Sequence, residues 1–186
     1  VKEENQLICN TCKSIPAIVK DNIIVYKGFD QKTDFFDKRA INILGQMYST
    51  YTYNTFIDDL NKFNLNNIDL LNKKVGITTK FWWEKYIGKI KDKNILEVGC
   101  GVNYIVPFWL LTKNNVVAFD PCKEPVFLLK DIVKRLNLPD KSLQLYVGDT
   151  DLINFDKKFD IININNVLHH ISDKRGTLLK LRKMLK

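Results

Sequence analysis

Apolar and polar positions along the chain follow three different periods in turn. Over residues 7–25, two short β-rich runs flank Asp21-Asn22, the arrangement of a hairpin closed by a tight turn. From residue 35 to 91 the period becomes helical and no proline interrupts it. Ala40, Ile41, Ile43, Leu44, Met47 and Tyr48 mark one amphipathic helix, and Phe56, Ile57, Leu60 and Phe63 mark a second. A third, over 80–90 with Thr78 or Thr79 as cap, carries Phe81, Trp82, Trp83, Tyr86, Ile87 and Ile90 on its inner face. These rings either pack the helix onto a sheet or, with Tyr48, Tyr51 and Tyr53, form a lid over a flat or cationic ligand.

Beyond Lys93 short buried runs alternate with helical ones. Strands are expected at 94–98, 115–120, 142–147 and 159–164, with helices at 104–112, 125–136 and 172–185, the last capped by Ser172. Pro107 is compatible with the first turn of its helix. Strands and helices alternating at this spacing predict a parallel sheet built from βαβ crossovers, an α/β doubly wound architecture. In front of it stand a small β-hairpin (residues 1–30) and a helical lid or linker (31–92), so the ligand-binding unit is expected at 93–186.

Composition narrows this picture only slightly. The 186 residues are 45% hydrophobic and 11% aromatic, which suits a globular core. The net charge of +8 points toward nucleic acid, but it is spread evenly: 15 Lys and Arg against 11 acids up to Lys93, then 14 against 10. No run approaches the ~18 apolar residues of a membrane span, and no signal peptide is visible, so a cytoplasmic protein without membrane attachment is expected. The four cysteines do not form a secreted disulfide framework. Cys9 and Cys12 are half of a tetrahedral zinc site, which needs two more ligands from a partner or another segment.

The chemistry gathers at the carboxyl ends of the expected strands, where ligands bind in such sheets. The first strand runs into Glu97-Val98-Gly99-Cys100-Gly101, a turn in which glycines admit positive φ and leave bare backbone for a charged ligand. Asp120 ends the second strand at the distance from Gly101 expected of an acid that grips ribose hydroxyls, with Pro121 beside it. Asp149 and Thr150 follow the third strand, suited to an adenine, and Asn165 follows the fourth. Singly, an acid at a strand end is more often a cap or turn residue; in this serial order the set is specific. A dinucleotide enzyme is disfavoured, because Tyr104 stands where its third glycine belongs and Glu97 would face a pyrophosphate.

Together with Gly148-Asp149-Thr150 and Val167-Leu168-His169-His170, these residues resemble the class I S-adenosylmethionine-dependent methyltransferases of the Val-Leu-His-His type. The resemblance covers about residues 93–186. It implies S-adenosylmethionine as cofactor, with Glu97, Gly99 and Gly101 at the methionine part, Asp120 at the ribose, Asp149 and Thr150 at the adenine, Asn165 near the transferred methyl, and Cys100 and Pro121 also among the cofactor-binding residues. It also implies a strand order third, second, first, fourth. His169 and His170 are candidates for a general base, or for a cap or packing role; consecutive residues of a regular element would not both face one site. Asn103 stands where the family has a further glycine, and asparagine tolerates the left-handed conformation such a turn needs.

The front segment is similar to the second half of a zinc-ribbon that precedes the catalytic domain in some methyltransferases, with Ile15-Pro16 in place of an aromatic and proline. The family's sheet continues past the fourth strand, so truncation there, or cover of that edge by a partner chain or a missing segment, is expected. The expected acceptor is a small molecule or metabolite. RNA, or a degenerate fold that only binds a partner, are the other readings.

Overall fold

The structure, a computed structural model, describes residues 5–7, 17–29, 89–101, 105–152 and 155–186. Nearly all of the helical stretch expected over 35–91 lies outside these residues, as do Cys9, Cys12, Asn103 and Tyr104. Seven strands are described: β1 (Asn5–Leu7), β2 (Ala17–Lys20), β3 (Ile23–Tyr26), β4 (Asn94–Val98), β5 (Asn115–Asp120), β6 (Leu143–Val147) and β7 (Ile161–Ile164). Three α-helices join them: α1 (Ile105–Leu111), α2 (Lys123–Arg135) and α3 (Lys174–Met184).

The strands form one sheet in the order β1-β2-β3-β6-β5-β4-β7. Within it β6, β5, β4 and β7 are parallel and lie third, second, first, fourth, as the resemblance implies. β4 and β5 are buried along nearly their whole length, because side chains on both faces meet packed residues. Ile95, Val116, Ala118, Leu145 and Val147 cluster with Val106, Phe108 and Leu110 of α1 and with Val126, Leu129, Ile132 and Val133 of α2. Leu96, Val98, Val117 and Phe119 cluster with Phe159 and with Leu181 and Met184 of α3. Two cores, one on each face, are the consequence of side chains alternating along a strand. Helices on both faces in turn leave the carboxyl ends of the strands free for loops.

The hairpin forms where the alternation placed it. Asp21 and Asn22 take φ of 50° and 62°, the left-handed pair that a two-residue hairpin turn requires and that Asp and Asn tolerate best. The hairpin does not stand apart from the rest. β3 pairs in parallel with β6, Ile23 opposite Leu145 and Val25 opposite Val147, so that Tyr26 arrives at the carboxyl edge of the sheet.

One detail differs from the sequence reading. Asp173, not Ser172, caps α3: its Oδ1 accepts the Gly176 N–H at 2.9 Å. β7 ends the described sheet, and just before it Phe159 makes an isolated pairing on the outer side. There the Phe159 N–H donates to the Met184 carbonyl at 2.8 Å and the Lys186 N–H donates to the Phe159 carbonyl at 3.0 Å. This sets Leu185 parallel to Phe159.

Candidate functional site

At the end of β4 the chain turns sharply. Gly99 and Gly101 take φ of 64° and 48°, left-handed values that side-chain-bearing residues adopt with strain. Gly99 is also crowded: a methyl group there would stand 2.9 Å from Val167 Cγ1 and closer still to Cγ2. The valine of Val167-Leu168-His169-His170 thus packs onto the bare backbone of the turn. The Cys100 N–H donates to the Phe119 carbonyl at 2.9 Å, carrying the β4–β5 ladder one step into the turn.

Asp120, the last residue of β5, ties three strand ends together. Its Oδ2 accepts the Gly101 N–H at 2.9 Å and its Oδ1 accepts the Cys122 N–H at 2.8 Å, while its own carbonyl accepts the Gly148 N–H at 2.9 Å. The side chain is buried, and burial raises its pKa against the lowering effect of these bonds. Each carboxylate oxygen retains a second lone pair. Asp120 is therefore a turn residue, and its remaining acceptor capacity lies beside the glycine turn. Pro121 is exposed in the loop between β5 and α2.

Glu97 lies on the α1 side of β4 and is 0% exposed. Asn163 of β7 is its direct neighbour across the ladder, and its Nδ2 donates to both carboxyl oxygens, at 2.8 and 3.0 Å. The Trp109 Nε1–H of α1 donates to Oε2 at 3.1 Å. Loss of solvation dominates over these three bonds, and the Glu97 pKa is pushed up to about 8. The Cys100 thiol, buried next to Asp120 and Glu97, is raised well above its usual value by burial and by their charges.

The remaining candidates follow the neighbouring strands. Asp149 closes its own loop, accepting the Asp151 N–H at 3.0 Å, and the Lys180 ammonium of α3 donates to the carbonyls of Thr150 and Asp151 at 2.7 and 2.9 Å. A methyl on Gly148 would stand 2.8 Å from Tyr26 Cδ2, so the hairpin packs against this loop. Asn165 is half-buried just after β7. His169 and His170 lie exposed on a 3-10 turn, their ring centroids 3.9 Å apart. The two rings are tilted by 43° to one another.

The structure thus joins Glu97, Gly99, Cys100, Gly101 and Asp120 around one turn. It sets Asp149 and Thr150 at the end of β6, with Asn165, His169 and His170 beyond β7. Trp109, Asn163, Lys180 and Tyr26 were not singled out from the sequence. The available signal was Glu97 itself: an acid inside a buried strand demands polar partners, and Asn163 is the one polar side chain within β7.

Cys100 and Cys122 are buried and form no disulfide. Among the described residues no cluster of His, Cys, Asp and Glu is placed to hold a metal, and no helix is long and apolar enough to cross a membrane. A family profile described as a methyltransferase domain matches residues 96–186. The chain is 32% identical over 120 residues to a tRNA U34 carboxymethyltransferase of Campylobacter fetus subsp. fetus (strain 82-40), a match spanning 64% of this chain and 42% of that protein. Among solved structures it resembles coclaurine N-methyltransferase bound to N-methylheliamine and SAH, at 15% identity and a TM-score of 0.51, over 57% of this chain and 31% of that one. The YcgJ protein of Bacillus subtilis aligns at 21% identity with a TM-score of 0.48, over 53% and 42%. The chain spans about two fifths of the curated relative it matches.

Proposed function

We propose that residues 96–186, which match a methyltransferase domain profile, form a class I methyltransferase domain through which the chain binds S-adenosylmethionine and transfers its methyl group. The observation that carries the reading is the glycine turn with left-handed Gly99 and Gly101, set between the buried acids Glu97 and Asp120 at the carboxyl edge of a parallel sheet. The residues suit this cofactor. Bare backbone accepts the amino-acid end, a spare acceptor on Asp120 meets the ribose hydroxyls, and the Asp149-Thr150 loop meets the base. Glu97, once ionised, supplies a negative charge where a dinucleotide would present phosphate and where this cofactor presents a cation. When bound, S-adenosylmethionine supplies an electrophilic methyl on a sulfonium, so the protein's part is mainly to position an acceptor in line and remove one proton. His169 and His170, exposed on the turn that follows β7, are the candidate bases.

The acceptor class that the observations favour is RNA. The curated relative is named for a tRNA substrate, and α3 with its following residues, 174–186, carries six Lys and Arg and no acid. An even split of charge between the two halves of the chain conceals this local concentration. The small-molecule acceptor remains the alternative. Transfer of labelled methyl groups from S-adenosylmethionine into tRNA, lost in Asp120→Ala and weakened by Arg175→Glu with Arg182→Glu, supports the RNA reading. Salt-independent transfer to small acceptors alone overturns it.

A further inference from the structure

Glu97 is sealed beneath the glycine turn. Its two oxygens receive three side-chain hydrogen bonds, two from Asn163 and one from Trp109, with no water-exposed edge. Two opposing influences act on this carboxyl group. Burial favours the neutral acid, whereas the donors Asn163 Nδ2 and Trp109 Nε1 favour the anion.

We propose that Asn163 and Trp109 are positioning residues that let Glu97 ionise when a cationic ligand reaches the glycine turn, so that binding expels one proton from beneath the turn. This inference rests on the methyltransferase reading of the same turn. The carboxyl group loses a proton to solvent, no covalent bond changes in the ligand, and the incoming positive charge is matched by the new carboxylate. With the ligand-free pKa raised to about 8, Glu97 is mainly protonated at pH 7, and a neighbouring cation lowers that value. Among the described residues, the neighbouring groups are these. Cys100 follows in the turn, Asp120 comes from β5, β7 contributes the uncharged Asn163, and α1 carries no ionisable residue. Burial opposes ionisation of Glu97, and the donors on Asn163 and Trp109 are what favour it.

The test is calorimetry with S-adenosylmethionine between pH 6 and 9, in buffers of different ionisation enthalpy, on wild type, Glu97→Gln, Asn163→Leu and Trp109→Phe. The ligand's own amino group titrates in this range, and the Glu97→Gln profile subtracts it. Relative to Glu97→Gln, wild type is expected to release close to one proton at pH 7 and to gain about tenfold in affinity per pH unit until near 8. Asn163→Leu should move that rise upward by roughly one pH unit, lowering affinity at pH 7 about tenfold while leaving it near wild type above the new midpoint. Trp109→Phe, which removes one donor from a ring that still packs, should move it less in the same direction and decides the matter if Asn163→Leu does not fold. Wild-type and Glu97→Gln profiles that superimpose, or donor variants that weaken binding equally at every pH, overturn the proposal. Absence of any binding by folded wild type instead overturns the functional reading beneath it.

Discussion

Val167 occupies the space that any side chain on Gly99 would need. The glycine has φ of 64°, and both γ-methyls of the valine crowd the point where a Cβ would stand. Two independent constraints therefore fall on one residue, a left-handed backbone and a close approach from the segment after β7. The link joins the first and last loops of the site, so the Val167 motif acts on the turn through packing.

Gly99→Ala is expected to lower stability by about 3 kcal/mol, combining left-handed strain with overpacking. Val167→Ala in the same chain removes the clash but not the strain. Urea unfolding of the two single variants and the double variant should show the double less destabilised than the sum by about 1 kcal/mol. Simple additivity would mean that the contact does not limit the turn.

The pairing of β3 with β6 is tested at its carboxyl end, where Tyr26 lies against Gly148. Gly148→Ala should cost about 1–2 kcal/mol by overpacking, and less in a Tyr26→Ala background. An equal cost in both backgrounds would show that the hairpin does not press on this loop.

Glu97 gives the ligand-free protein a distinctive pH dependence. Its folded pKa of about 8 lies above the ordinary 4.5, so between those values the folded state holds a proton that the unfolded chain has released. Stability from this group is therefore complete below about pH 4.5 and is lost as pH rises toward 8, by on the order of 5 kcal/mol in all. Denaturation midpoints at pH 5 and 8 should fall more steeply for wild type than for Glu97→Gln. Parallel slopes would place the carboxyl in contact with solvent.

Much of this architecture is legible in the residues. β5 begins and ends where the buried run 115–120 does, because a central parallel strand is apolar on both faces and its limits show as a change of composition. The Asp21-Asn22 turn is equally local: two residues that tolerate left-handed φ, between β-branched runs. The attachment of the hairpin to β6 was not legible, since pairing Ile23 with Leu145 depends on partners 122 positions apart and leaves no periodic trace. Asn163 was hidden in a run of asparagines, where only its register opposite Glu97 distinguishes it from Asn165. Asp120 was read for a ligand, and its bonds to Gly101 and Cys122 show that it also builds the turn.

This double duty sharpens the central test. Titration of the folded protein with S-adenosylmethionine by calorimetry is expected to show saturable binding at one site. Asp120→Asn, which keeps an acceptor in place but loses the charge, should bind at least tenfold more weakly. A well-folded wild-type sample that produces no binding heat, or an Asp120→Asn variant that binds as tightly as wild type, would contradict the assignment of the Glu97–Gly101 turn and Asp120 as the cofactor site.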